Sequence, residues 1–502
     1  MQSKSGKIIY DLLGKLIMFG LTVQIGMGIC YIVRNIGYVQ MFGETASNVA
    51  VSGSLSCSVY TGVLYPVVLL LIRAVSLTFN LPWFSFMYLI QLALAITAGY
   101  FLLSAFGRDR YKKVFYFWGS LVFATFPFVL QIHMSVLTDS FALSFLMLEI
   151  AFVRRVWGSR NMTASRAFSF DMGRICLFWM LAALSEWDFL IIGALPMVIV
   201  LIRGLTVLSK TDRKGIVFPV IIAVLFTVLT IGTYSLTSDR QNPASPAKSI
   251  EVSLFDRVAW KHVILRQDNE KYRLFEVTDY ETLKDAAAYR DNIKTVVEPM
   301  VEGKLGKKEA KKLFLELAIG AFKKNRDEVL HDAAIDFAGY VAPPFVVREL
   351  LSGRKFISYT SRNYDIFKRN SPALSKYYLD YSLLWFGASM MIAGVLWILR
   401  LFEKIRDLRM KLDEPFSFGV GFGAVISAVV TAIALAVRNT FLGNGVYDYK
   451  QAGFSVVLLL MFVIFPALPR VDILGFDKFR PLKEIIAEYE EENENESSKN
   501  GE

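Results

Sequence analysis

Charge is scarce in this chain of 502 residues: only 20 % are Asp, Glu, Lys or Arg. A soluble protein of this size carries roughly 25 %. Cysteine is scarcer still. Cys30 and Cys176 fall in apolar runs and Cys57 in a loop, and an odd, scattered set is neither a disulfide framework nor a metal cluster. Histidine is limited to His133, His262 and His331. The long polar stretch 237–378 has no Gly-rich phosphate loop, no HExxH and no paired Cys/His spacing. No short apolar run followed by a small-residue cleavage site marks a removable signal peptide. What is abundant is apolar surface. Hydrophobic residues make up 54 % of the chain, with 40 Phe, 22 Tyr and 8 Trp. That excludes a disordered protein and directs much of the surface into lipid.

The formal charge is +10, unevenly placed. Residues 471–502 hold ten acids and four bases, a net of −6, so the 470 residues before them carry +16. Such an excess suits nucleic acid or loops lying against anionic lipid head groups.

Eleven apolar segments approach the length of about 20 residues that a bilayer needs. They are 12–34, 60–80, 83–106, 113–132, 136–153, 172–187, 188–209, 215–236, 379–402, 416–437 and 451–469. The sequence therefore predicts an all-α, polytopic membrane protein with about 10–11 membrane helices and a helical extracytoplasmic insert. The first segment follows Lys4 and Lys7, carries Lys15 near its start and reads as a retained anchor. Gly419 and Gly423 give 416–437 a small-xxx-small packing face. Four parts follow: a membrane module over 1–236 with its first outer loop at 35–59, an insert over 237–378, further membrane helices over 379–469, and an acidic tail over 470–502. The tail composition predicts disorder.

Basic loops accumulate on the cytoplasmic side. The N-terminus, Arg108–Lys113, Arg154–Arg166, Lys210–Lys214 and Arg400–Lys411 are placed there, with both termini. The nucleic-acid reading then falls away, since most of the positive excess serves orientation. Parity fails once, because three apolar segments precede Arg108 where two crossings fit. Segment 60–80 carries Arg73 near its middle, where a charge costs roughly 2.5–3.5 kcal/mol. It is therefore expected to be a re-entrant or interfacial helix on the outer side; the competing reading has Arg73 snorkelling and the N-terminus outside. Mid-span charges are otherwise few.

The insert opens on Asn242-Pro243-Ala244-Ser245-Pro246, a turn cluster. Lys307–Lys324 then places Ala310, Leu313, Leu317 and Gly320/Ala321 on one helical face, and Pro343-Pro344 stops the pattern. A small helical module leaning on the bilayer is expected, its mixed charges forming a solvated face.

Candidate chemistry gathers on the predicted outer face. The first loop holds Gly43-Glu44-Thr45-Ala46 and runs into Tyr65-Pro66, which opens an apolar segment. The next outer turn holds Leu137-Thr138-Asp139-Ser140. An acid early in the first outer loop, a Tyr-Pro start and a TDS turn resemble the C-type glycosyltransferases. These are polytopic enzymes related to protein O-mannosyltransferases and lipid A aminoarabinose transferases. The resemblance covers about residues 8–210. Ala46 and Ser47 stand where the family often has an aromatic, and the usual His/Lys-Pro-Pro before Leu64-Tyr65 is missing.

The resemblance implies an enzyme that takes a sugar from a polyprenyl-phosphate carrier on the outer face. Glu44 stands at the family's first acid and Asp139 at its second. A carboxylate at a water–lipid boundary suits a base that takes the acceptor proton. The leaving phosphate needs cations, and Arg438 and Lys450, which flank an outer turn, are the candidates, with Arg240 and Arg257 weaker ones. No cofactor motif is present, although the chemistry leaves room for a divalent metal beside His133 or Asp139. Plainer roles stand beside each. Asp139 at a helix start suits a cap, and Glu44 a solvated loop. Arg438 and Lys450 suit lipid head groups. Glu186 and Asp188 around Trp187 suit an interfacial hairpin. The main alternative function is a transporter or lipid flippase; a third is a scaffold whose outer module binds a partner.

The topology predicts that single cysteines at positions 48 and 110 label from opposite sides of the membrane. Labelling of both from one side overturns it.

Overall fold

The computed structural model describes residues 4–38, 63–79, 82–107, 113–157, 160–186, 189–238, 250–255, 297–331, 334, 372–409 and 459–468. Among these the chain is all-helical, with no strand. Six helices are long and apolar enough to cross a membrane: Leu12–Asn35, Trp83–Ala105, Ser165–Ser185, Ile192–Thr211, Arg213–Thr233 and Tyr377–Leu399. Each falls on a predicted segment. Segment 416–437 and residues 451–458 lie outside the described residues.

The helices are α1 (Lys4–Asn35), α2 (Leu64–Phe79), α3 (Trp83–Gly107), α4 (Lys113–Ala124), α5 (Pro127–His133) and α6 (Thr138–Val156), then α7 (Ser165–Ser185), α8 (Phe189–Thr211) and α9 (Val217–Ser238). The insert contributes α10 (Ile250–Leu254), α11 (Glu298–Leu305) and α12 (Lys307–Lys324). The long α13 (Pro372–Arg409) follows, and a π turn at Leu460–Ile464 leads into a helical turn at Phe465–Ala467.

Helix α6 occupies the middle, packed against α3, α7 and α8. Its apolar side chains are buried almost all round, and Asp139 and Glu149 are buried with them. A helix apolar on every side has to be enclosed by protein or lipid. Helix α9 is the opposite case. Phe218, Ile221, Leu225 and Val228 are each more than half exposed, a contiguous apolar surface of a kind soluble monomers rarely show.

Segment 113–132, expected as one span, is a broken one. Helices α4 and α5 meet at 80°. The cause is Pro127, which has no N–H to continue the helix and forces Phe126 into extended backbone, at φ −69° and ψ 133°. The break is held from outside: the Tyr378 hydroxyl donates to the Thr125 carbonyl and Gln24 Nε2 donates to the Val122 carbonyl at 3.1 Å. Both donors come from distant helices, α13 and α1.

Helix α2 has 16 residues, about 24 Å at 1.5 Å per residue, shorter than a hydrocarbon core of about 30 Å. Near its start the Tyr65 hydroxyl donates to Gln91 Oε1 at 3.3 Å. Further along, Arg73 lies 4.9 Å above the Trp83 ring. Both contacts fall on the first third of α3, so α2 stays beside one end of that helix. Arg73 is half-buried and stacked on an aromatic face, which lowers the cost of its place in an apolar segment.

The insert matches its expected face with one rotation. Ala310, Leu313, Phe314, Leu317, Ala318 and Ala321 are buried, while Gly320 is exposed. Phe314 meets Phe255 at 5.0 Å between centroids. Gly306 joins α11 to α12 at φ +79°, where a Cβ is disfavoured.

Between α8 and α9, Asp212 caps the short turn Arg213–Ile216 by accepting from the Gly215 N–H at 3.2 Å. Hydrogen bonds from Ser165 and from the Gly215 backbone hold its carboxyl below the ordinary aspartate range. That tie is present above the ordinary value and is lost as pH falls through the folded one.

Helix α13 reaches α1 through one glycine. A Cβ on Gly20 would overlap the Trp385 indole. The Gly20 carbonyl accepts from the Tyr381 hydroxyl at 3.0 Å, and the Ile17 carbonyl from Trp385 Nε1 at 3.3 Å. Gly20→Ala is expected to lower stability by about 1–3 kcal/mol through overpacking, read by thermal unfolding of the purified protein. Gly26→Ala, whose added Cβ meets nothing within 4 Å, is the control and should be neutral or slightly stabilising.

Candidate functional site

One end of the bundle collects the buried polar groups. The start of α2, the first third of α3, the end of α5, the turn 134–137, the start of α6 and the end of α7 meet there. Gln91, His133, Ser135, Thr138, Asp139, Ser140, Ser185 and Glu186 are all under 5 % exposed. In an apolar interior, such groups are tolerated only when hydrogen-bonded.

The turn 134–137 is held in part by Gln91. Its Nε2 donates to the His133 and Ser135 carbonyls, each at 2.9 Å. His133 Nδ1 and Ser140 Oγ are 2.7 Å apart, which ties the end of α5 to the first turn of α6. Thr138 Oγ donates to Glu186 Oε2 at 2.9 Å, tying α6 to the end of α7. Glu186 in turn ends α7, its N–H donating to the Ala182 carbonyl at 3.0 Å.

Asp139 is in the first turn of α6, with the N-cap position held by Leu137, whose side chain makes no cap bond. The Asp139 side chain is therefore not the cap of this helix, although its charge suits the positive end of the helix dipole. It interacts electrostatically with Tyr65, whose ring stands edge-on to Phe141 at 5.7 Å. Two of the positions that carry the family resemblance, Tyr65 and Asp139, thus fall in one buried cluster at the same end of the bundle. Ser85 Oγ donates to the Ile36 carbonyl at 2.6 Å, which fixes the end of α1 to the same end of α3.

Glu44, Arg438 and Lys450 lie outside the described residues, as do Trp187, Asp188, Arg240, Arg257 and His262. His331 is exposed on the insert. Among the described residues no group of three or more His, Cys, Asp or Glu side chains is placed to hold a metal ion.

Two residues were not reached from sequence as parts of this site. Glu186 read as half of an interfacial hairpin, yet it is buried and bonded to Thr138. Gln91 carried no motif. Glu149 was passed over among the mid-span charges and is fully buried in α6. For Glu149 a signal did exist: a single carboxylate ten residues after Asp139 in an otherwise apolar run.

The opposite end of the bundle is basic and aromatic. Arg155, near the end of α6, donates to Ser104 Oγ at 2.8 Å and stacks on Phe101 at 5.0 Å. Arg203 lies 4.3 Å over Trp157.

No protein-family model, curated protein or solved structure matches the chain.

Thr138→Val keeps the side-chain shape and removes the donor to buried Glu186. A loss of about 1–3 kcal/mol is expected, measured by thermal unfolding. Thr97→Val, at an exposed site where the hydroxyl bonds only its own helix, should change stability by no more than about 0.5 kcal/mol.

Proposed function

We propose that the protein is a multi-spanning enzyme of the cell membrane that moves a sugar from a polyprenyl-phosphate donor to an acceptor on the outer face. Both termini are cytoplasmic in this reading, and the buried polar end faces outward. The observation that carries it is that Tyr65 and Asp139 fall in one buried polar cluster at the same end of the bundle. Those residues are 74 apart in sequence and belong to the two motifs of the family resemblance. Glu186, joined to Asp139's neighbour Thr138, adds a second carboxyl to the same corner.

The chemistry follows from the group types. Glu44 takes the proton of the acceptor hydroxyl. The acceptor oxygen then bonds to the anomeric carbon as the bond from that carbon to the phosphate oxygen breaks. The electron pair leaves on polyprenyl phosphate, whose developing charge Arg438 and Lys450 stabilise. Asp139 positions the acceptor, or a divalent ion where one is used. A partly desolvated carboxyl is suited to proton transfer near neutral pH. The apolar outer surface of the helices offers the polyprenyl chain a lipid-like path.

Transfer is tested with full-length protein in proteoliposomes and a panel of polyprenyl-phosphate sugars. Wild type should transfer one of them. Glu44→Gln and Asp139→Asn should each lose about 10²-fold or more while remaining folded. Near-wild-type transfer by Glu44→Gln removes it as the base, and no transfer from any donor by wild type overturns the reading. One observation favours the transporter alternative: Glu149 inside α6, since buried charges within spans mark ion and proton paths. Movement of a labelled lipid-linked sugar across the bilayer without transfer would decide for it.

A further inference from the structure

Glu149 stands halfway along α6 and is wholly enclosed. Neither of its oxygens has a hydrogen-bond partner among the described residues. Its Oε2 lies 2.8 Å from the point a Cβ would occupy on Gly193 of α8, and Trp179 Cδ1 lies 2.7 Å from that same point. The acid thus fills a notch that exists because residue 193 has no side chain. The Trp179 N–H is directed elsewhere, to the Leu190 carbonyl at 3.0 Å.

Among the described residues no cation pairs with it. On α7 the titratable group that interacts with it is Cys176, whose Sγ is 3.6 Å from Met197 Sδ. Arg174 of α7 stacks on Phe170 at 4.2 Å and pairs with Asp171. On α8 the first ionisable residue after Gly193 is Arg203, stacked on Trp157. Helix α3 carries no titratable side chain except Tyr88 and Tyr100. On α6 itself, Arg155 is engaged by Ser104 and Phe101; Asp139 and Arg154 complete its charged set. An isolated carboxylate in such a place would cost several kcal/mol. A neutral acid has a proton to donate, and α8 has an acceptor in need of one. Pro196 has no N–H, so the Ile192 carbonyl, one residue before Gly193, lacks its helical donor.

We propose that Glu149 is a proton-binding site in the interior of the bundle, holding its proton as a neutral acid hydrogen-bonded to the α8 backbone at Ile192. The ligand is the proton itself. Its loss leaves a bare charge between α6, α7 and α8, so those helices must part or admit water before it can go. The joint at Gly193–Pro196 is where protonation and helix packing are linked. This holds whichever substrate the outer site takes.

The test is infrared spectroscopy of the purified full-length protein in lipid nanodiscs at neutral pH. Wild type minus Glu149→Gln should show the carbonyl band of a protonated acid and no carboxylate band. Pro196→Ala restores an N–H for Ile192 and should move that band toward the position of a weakly bonded acid. Gly193→Ala crowds Oε2 and should shift it too, while Gly232→Ala, facing open space, should not. Denaturation at neutral pH should release about one more proton per chain from wild type than from Glu149→Gln. A carboxylate band in the difference spectrum, or equal proton release, overturns the proposal. A band unmoved in both Pro196→Ala and Gly193→Ala overturns the contact with α8.

Discussion

Helix α6 is enclosed by α3, α7 and α8, and an enclosed helix has no solvent to satisfy its polar side chains. The polar groups at its N-terminal end find their partners in neighbouring elements. That pairing fixes the surroundings. Thr138 draws in Glu186 from the end of α7. Ser140 draws in His133 from α5. The turn that delivers the chain into α6 is held by Gln91 of α3. Each contact joins a different pair of elements, so together they set the angle at which α3, α5 and α7 meet α6. The apolar packing along the rest of α6 supplies most of the burial but little of this direction, since hydrophobic contact is not directional.

The break before Pro127 belongs to the same constraint. A straight span over 113–133 would carry His133 past the start of α6. The 80° bend turns α5 across the end of the bundle and brings His133 back against Ser140. The bend leaves carbonyls without helical donors, and α1 and α13 supply them through Gln24 and Tyr378. The contact of Gly20 with Trp385 seats α13 against α1 along the same seam. Elements distant in sequence are thus recruited to stabilise a local defect that the site requires.

Much of the fold was legible because span length and helical period are local properties. The six long apolar helices lie where hydropathy put them, and the buried face of α12 shows the 3.6-residue period of Ala310, Leu313, Leu317 and Ala321. The proline at 127 was visible, but an 80° bend is a tertiary outcome that one residue does not dictate. Less of the site was legible. Asp139 could be placed at a helix start from Thr138-Asp139-Ser140 alone. Glu186 could not be joined to Thr138, because the link is a hydrogen bond between residues 48 apart and sequence spacing carries no trace of it. Gln91 reaches residues 42 and 44 positions away for the same reason. Glu44, Arg438 and Lys450 lie outside the described residues, so the structure brings only one of the four named site residues, Asp139, into the cluster.

Asp139 and Glu149 show how one helix can present two carboxyls to different ends. They are ten residues apart, about 15 Å along the axis. Asp139 lies at the helix N-terminus, where backbone N–H groups and the dipole favour negative charge. Glu149 lies where the helix is fully hydrogen-bonded within itself and offers no such field, against a glycine notch and a ring edge. The same functional group therefore meets two different environments on one helix, which gives α6 a polarity along its length set by surroundings rather than by residue type. That polarity is a reason to treat the outer cluster and the interior acid as separate sites that share a rigid element, with α8 touching the interior one at Gly193.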